Sequence, residues 1–230
     1  MDNISVIIRC RNEEQWIGHS IQSVIDNFNK PEILVINNNS TDESMGIIKM
    51  FKKDDKLGGG KNYTDIKIYN IDGYSPGKSL NYGVSKCSND YVLVLSAHCV
   101  LDNILFGKVK RELEEHCVIF GKQVPIYKGK KITPRYVWAN FQEHDVINQF
   151  SESENRHFLH NAFAFYKKQI LIDNPFDEEL TSKEERYWVN DMKRLSEYIK
   201  IANKVMDSKG PDYQDCETDS RENYTGRFNG

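Results

Sequence analysis

Two short polar stretches hold residue types suited to gripping a small polar ligand. Asn37-Asn38-Asn39-Ser40-Thr41-Asp42 follows an apolar run at 33–36, and Ser96-Ala97-His98-Cys99 follows a longer one at 91–95. Amides, hydroxyls and an imidazole supply both hydrogen-bond donors and acceptors. In an open α/β sheet, ligands sit outside the carboxyl ends of the strands, so both stretches read as ligand edges. A competing reading assigns Asn37 to Asn39 to Asx turns, with Thr41 or Asp42 capping the helix that follows. Gly60-Lys61 suggests a phosphate loop, but Asn62 rather than Ser or Thr follows the lysine and no strand precedes it. Cys10, Cys87, Cys99, Cys117 and Cys216 are odd in number and show no CxxC spacing. They indicate reduced thiols rather than a disulfide framework or a structural zinc site.

These stretches need a scaffold, and the hydrophobic pattern supplies one. Residues 4–8 form an apolar strand; Asn12 is then a good N-cap for a helix bearing Ile17, Ile21, Val24, Ile25 and Phe28. Pro31 leads into the strand at 33–36, giving a β-α-β unit and hence a right-handed crossover in a parallel sheet. Ile47, Ile48 and Phe51 mark a second helix, 66–71 a third strand, and Lys78, Leu80, Asn81 and Val84 a short helix after the Tyr74-Ser75-Pro76-Gly77 turn. The nearly unbroken apolar run at 91–95 suits a strand covered on both faces. Leu105, Val109 and Leu113 define an amphipathic helix with Lys110 and Glu114 spaced for an ion pair, and 117–124 reads as a strand. Beyond Pro125 the pattern is less regular, with a strand at 162–166 and a helix near Ser182 carrying Trp188, Met192, Leu195 and Ile199 on one face.

The 230 residues suit one large domain. With 39% hydrophobic and 28% charged residues the composition is that of a globular protein, and a net charge of -3 argues against nucleic acid as a partner. No apolar run is long enough to span a bilayer and no basic leader opens the chain, so a cytoplasmic location is expected, with at most peripheral membrane contact. Residues 206–230 are polar and acidic and read as a tail.

Four segments, in this order, resemble the nucleotide-sugar glycosyltransferases of family 2: Ile4-Ser5-Val6-Ile7-Ile8-Arg9-Cys10-Arg11-Asn12-Glu13-Glu14, Val35-Ile36-Asn37-Asn38-Asn39-Ser40-Thr41-Asp42, Gly77-Lys78-Ser79-Leu80-Asn81-Tyr82-Gly83, and Phe176-Asp177-Glu178-Glu179-Leu180 ahead of Glu184-Glu185. The resemblance implies an α/β GT-A fold, Rossmann-like, a three-layer sandwich around a mostly parallel sheet. It places a single domain over 1–205, with a nucleotide-sugar half to residue 100 and an acceptor half beyond it. It implies an inverting transfer of sugar from a nucleotide-diphosphate donor, a UDP-sugar by default, to a saccharide or lipid-linked acceptor. The setting it suggests is surface polysaccharide or glycoconjugate synthesis at the inner face of a membrane.

Within that resemblance, Cys10, Arg11, Glu13, Asn37, Asn38, Lys78, Ser96 and Ala97 match donor-binding positions. The turn at Asn37 has amides where the family usually has a carboxylate. Arg9, Arg11 and Lys78 are candidates to neutralise the leaving pyrophosphate. Ser96-Ala97-His98 aligns with the family's metal motif of two acidic residues around a spacer. Three roles are open to His98: a metal ligand, with manganese favoured over magnesium because imidazole suits softer ions; a hydrogen-bond donor to the pyrophosphate; or a structural histidine. Glu185 matches the family's base, which takes the proton from the acceptor hydroxyl, and Glu184 would orient the acceptor. Ser182-Lys183-Glu184-Glu185 is also a capping-box pattern, so Glu185 has a structural reading too. Trp138, His160, Asn161 and Trp188 are candidates for acceptor contact. Two other functions compete: a nucleotide-sugar-binding module without activity, suggested by the missing carboxylates, and a sugar nucleotidyltransferase, disfavoured because 9–14 contains no glycine.

Overall fold

The computed structural model describes residues 2–51, 65–127, 130–131, 140–142, 144–194 and 199–201. Trp138, the Gly60-Lys61 stretch, Leu195 and the acidic tail lie outside the described residues. The strands are β1 (Ile4–Cys10), β2 (Glu32–Asn37), β3 (Asp65–Asn70), β4 (Tyr91–Ser96), β5 (Val118–Phe120), β6 (Ile126–Tyr127), β7 (Lys130–Lys131), β8 (Val146–Ile147), β9 (Phe150–Ser151), β10 (Arg156–His157), β11 (Phe163–Lys167) and β12 (Ile199–Ile201). The helices are α1 (Ile17–Asn27), α2 (Ser44–Met50), α3 (Pro76–Lys86), α4 (Phe106–Glu112), α5 (Lys168–Asp173) and α6 (Glu184–Arg194).

Eight strands form one sheet in the order β3-β2-β1-β4-β11-β5-β12-β8. The first four are parallel, β11 runs antiparallel to both its neighbours, and β12 is again parallel to β5. Side chains alternate across the pleat and feed two cores. Val6, Ile8, Val35, Leu93 and Phe165 pack with Ile17, Ile21 and Val24 of α1, Ile48 of α2 and Val109 of α4. On the opposite face, Ile7, Leu34, Val94, Ala164 and Tyr166 pack with Leu80 and Val84 of α3, Leu171 of α5 and Trp188, Val189 and Met192 of α6. The expected three-layer sandwich is therefore present.

Several local expectations change. Asn12 does not cap α1: it takes φ 55, and its side-chain oxygen accepts from the Thr41 amide at 2.8 Å. Helix α1 begins instead at Ile17, whose amide donates to the Glu13 carbonyl. The strand at 117–124 shrinks to three residues, and Ile199 belongs to β12 rather than to the α6 helix. Glu114 pairs with Lys167 at 2.9 Å, while the Lys110 ammonium sits 5.0 Å from the Phe106 ring centre.

Candidate active site

The sheet register sets Asn70, Asn37 and Cys10 in one row across β3, β2 and β1, with Ser96 of β4 opposite Arg9. All lie at the carboxyl edge. Alternation then separates neighbours on β1. Cys10 points into the core beneath α1 and α2, where burial pushes its thiol up to about 11, so its side chain is a packing group and not a donor ligand. Arg9 points the other way, toward α6.

Here the buried charges gather. Arg9 donates to Glu184 at 2.9 Å, a pair assembled across 175 residues of sequence. Burial opposes the Arg9 charge, but Glu184, Tyr74 and Glu185 outweigh it and hold the guanidinium above its ordinary value. Glu184 is thus engaged by an ion pair. Glu185, 7% exposed, has no such close partner among the described residues; the Arg186 Nε lies 3.8 Å away. Burial, reinforced by the charge of Glu184, raises its carboxyl to about 8. The capping box is not formed. Helix α6 starts at Glu184, and the preceding residue is Lys183, at φ 62, whose carbonyl takes the Arg186 amide at 3.0 Å.

His160 and Asn161 join this cluster. The Ala162 amide donates to His160 Nδ1 at 3.3 Å and Gln123 Nε2 lies 2.8 Å from the same atom, so the neutral ring carries its proton on Nε2. Burial, with the charges of Arg186, His98 and Arg9, lowers His160 to about 3, which keeps it neutral. Asn161 is buried, accepts from the Tyr166 hydroxyl and leaves its Nδ2 without a hydrogen-bond partner among the described residues.

His98 sits at the third position of a tight turn closed by the Cys99 amide on the Ser96 carbonyl at 3.0 Å. That turn buries Ala97 in the core and brings His98 Nδ1 to 3.5 Å from Glu13 Oε1. Glu13 Oε2 is buried without a hydrogen-bond partner. A carboxylate and an imidazole thus meet at the strand ends, a donor set that suits manganese better than magnesium. Among the described residues no third His, Cys, Asp or Glu joins them, so an ion held by Glu13 and His98 would need further ligands.

The loops after β1 and β2 are laced together. The amides of Asn12, Glu13 and Glu14 donate to Ser40 Oγ, Ser44 Oγ and Asp42 Oδ2. The Asx turn forms at Asp42, whose Oδ1 accepts from the Ser44 amide at 3.0 Å. At Asn37 the oxygen accepts from the Ser40 amide, three residues on, at 3.1 Å and the nitrogen donates to Asn70 Oδ1 at 2.8 Å. Each end of that amide retains one hydrogen-bonding position. The Asn38 amide nitrogen of the backbone closes on the Cys10 carbonyl at 2.9 Å.

One candidate is corrected outright. Trp188 is 4% exposed, donates to the Asn174 carbonyl at 2.6 Å and packs on Tyr166 and Phe176, which makes it core rather than an acceptor platform. The Lys78 ammonium donates to the Asp72 carbonyl at 2.8 Å, and Arg11 is exposed while the Arg9 side chain is 20% exposed. Within Gly77 to Gly83 the tightest constraints are structural. A Cβ on Gly77 would lie 2.2 Å from the Asp177 carbonyl oxygen, and Asn81 bonds both the amide and the carbonyl of Phe176. Helix α3 is thereby docked onto the segment that leads to the acid pair. Arg186, Glu154 and Gln123 escape sequence reading; only the placement of Arg186 directly after two glutamates hints at a role.

A parallel β3-β2-β1-β4 half with polar strand ends, joined to an antiparallel extension and a buried acid pair, defines an α/β architecture whose polar groups gather at the sheet's carboxyl edge. The family model for glycosyl transferase family 2 matches residues 5–174, and the chain belongs to that family. The matched stretch ends before Glu184. The chain is 24% identical over 209 residues to the GalNAc(5)-diNAcBac-PP-undecaprenol beta-1,3-glucosyltransferase of Campylobacter jejuni, covering 89% of this chain and 64% of that protein. It superposes on S. aureus TarS 1–349 in complex with UDP-GlcNAc with a TM-score of 0.64 at 20% identity, covering 91% of this chain and 60% of that one. A mannosyltransferase from Pyrobaculum calidifontis in complex with GDP-Man and Mn2+ gives a TM-score of 0.63 at 12% identity, covering 89% and 55%. The fold is GT-A. The chain spans somewhat under two thirds of the length of each of these proteins.

Proposed function

We propose that the protein is an inverting glycosyltransferase that moves a sugar from a nucleotide-diphosphate donor to a hydroxyl acceptor, with Glu185 as the base. The observation that carries this is the asymmetry of the acid pair: Glu184 is bound by Arg9, whereas Glu185 is buried, loosely contacted and raised to about 8. A base with affinity for protons near the working pH is the effective kind. The acceptor oxygen attacks the anomeric carbon on the face opposite the nucleotide, and its proton passes to Glu185. The bond to the diphosphate breaks with its electron pair on the leaving oxygen. His160 offers Nε2–H and Asn161 its unpaired Nδ2 to hydroxyls of the acceptor.

On the donor side, Asn38 and the remaining positions of Asn37 face the nucleoside, with residues to about 100 forming the donor half and those beyond it the acceptor half. Glu13 and His98 would share a manganese ion with the diphosphate, which supplies charge neutralisation when bound. UDP-sugars are the first donors to test, given the TarS complex, and a lipid-linked saccharide the first acceptor, given the Campylobacter relative. Among the described residues no helix is long and apolar enough to cross a membrane. We place the reaction at the cytoplasmic face of a membrane in glycoconjugate synthesis.

The alternative of a binding module without activity draws on the absence of acidic residues at 96–98 and on the engaged amide of Asn37. Turnover of a panel of UDP- and GDP-sugars with an undecaprenyl-diphosphate-linked saccharide separates the two. Wild-type turnover that disappears in Glu185→Gln supports the transferase; turnover retained in that variant rejects Glu185 as base; nucleotide binding with no wild-type turnover favours the module. Calorimetry with UDP, with and without manganese, on wild type and His98→Ala tests the metal: affinity unchanged by manganese removes His98 from that role.

A further inference from the structure

The carboxylate proposed as base stands beside a cation that does not close on it. Arg186 is 3% exposed, and its Nε, buried without a hydrogen-bond partner, lies 3.8 Å from Glu185 Oε1. Neighbours on a helix project apart, so the two side chains meet obliquely and at a loose range. The guanidinium is held from a different element. Glu154, at the tip of the turn joining β9 to β10, receives Arg186 Nη1 on both carboxylate oxygens. Arg156 backs the same carboxylate, its Nε 3.9 Å away, with its guanidinium 5.1 Å from the Tyr187 ring centre. The hairpin is also fixed to α6 by the His157 amide donating to Asn190 Oδ1.

We propose that Glu154 and Arg186 are a positioning pair: Glu154 holds the Arg186 guanidinium away from Glu185 and so preserves Glu185 as the buried carboxylate available to take a proton. The inference rests on the reading of Glu185 as base for its functional meaning, but not for its physical test. Charges facing Glu185 come from Glu184 and Arg186 on α6 and Arg9 on β1, with the Tyr166 hydroxyl on β11 near it; His160, before β11, faces Arg186. Three arginines and three carboxylates thus share this end of the molecule. Arg9 is taken by Glu184, and Arg186 and Arg156 both turn to Glu154, leaving Glu185 as the acid with only the 3.8 Å approach of Arg186. Releasing Arg186 would let it swing through the short remaining distance, and an opposite charge in contact lowers a carboxyl's proton affinity.

The test is a carbon-13 titration of the glutamate side-chain carboxyls in the full chain, with the Glu185 resonance assigned by its loss in Glu185→Gln. In Glu154→Gln the Glu185 midpoint falls by at least about one pH unit. In the double variant Glu154→Gln/Arg186→Gln it returns to or above the wild-type midpoint, because the released cation is gone. A purely structural role for Glu154 predicts no such reversal. Should Glu154→Gln not fold, Glu154→Asp, which draws the charge back by one methylene, gives a smaller fall in the same direction. A midpoint unmoved in whichever of these folds, or one that stays low in the double variant, overturns the proposal. Turnover retained in Glu185→Gln would instead overturn the base assignment while leaving the titration result intact.

Discussion

Two buried glutamates at opposite ends of the sheet show how one residue type acquires opposite characters. Glu32, at the amino edge, accepts from Lys67 at 2.7 Å, from the Ser88 amide at 2.8 Å and from the Ser5 hydroxyl. Burial alone would raise its carboxyl, but these donors outweigh burial and hold it below the ordinary range. Glu185, at the carboxyl edge, has burial reinforced by Glu184 and lacks comparable donors among the described residues, and its carboxyl rises to about 8. A satisfied carboxylate is structural; a desolvated one left short of donors is free to do chemistry.

That contrast breaks most visibly in turnover. Glu185→Gln should lower it by about 10² to 10⁴, the range contributed by general-base catalysis. Glu32→Gln should leave the turnover of folded protein unchanged while lowering stability. A matched steady-state assay on the two variants decides it; equal losses would erase the distinction. Next in size is Arg9→Met, which strands the buried Glu184 without its cation. Breaking one partner of such a pair costs about 3–5 kcal/mol, and Arg9→Met/Glu184→Leu should recover most of it. Urea midpoints of the single and double variants measure this. Recovery would align Glu184 with Glu32 as structural.

Stability against pH sharpens the comparison further, because the two carboxyls are shifted in opposite senses. Glu32 is lowered in the folded state, so its contribution is present above the unfolded value of about 4.3 and is lost as pH falls through the folded one. Glu185 is raised, so its contribution is complete below about 4.3 and is lost as pH rises toward 8. Urea unfolding at stepped pH should therefore show Glu185→Gln flattening the decline between those limits, by up to about 1.4 kcal/mol per pH unit. Glu32→Gln should flatten only the acid limb. Unchanged slopes in either variant would contradict the corresponding environment.

The two edges also differ in how far local sequence reveals them. Strands β1 to β4 are legible because their apolar runs are long and end in polar turns, and the family resemblance rests mainly on those junctions. Strands β6 to β10 have two residues each, too short for any periodicity. The strand at 117–124 stops at Phe120, and three residues further on Gln123 reaches His160. The acid pair itself could be picked out, but its asymmetry could not. That asymmetry is set by Arg9, 175 residues away, and by Glu154, 32 residues from Arg186. Trp188 is ambiguous in sequence because an aromatic on a helix reads alike whether it faces a ligand or, as here, Tyr166 and Phe176.

Helix α3 connects the two centres and supplies the smallest test. Just beyond its carboxyl end, Ser88 gives its amide to Glu32; at its amino end, Gly77 rests against the Asp177 carbonyl on the way to Glu185. An alanine Cβ there meets backbone that no rotamer change can move, so the 177–178 segment must shift, at a cost of about 1–3 kcal/mol. The disturbance should be one-sided. In carboxyl titrations of Gly77→Ala, the Glu185 midpoint should move while that of Glu32 stays, because Ser88 lies a full helix length from the clash. Movement of both would mean that α3 transmits strain as a rigid rod, joining the two edges that their hydrogen bonding keeps apart.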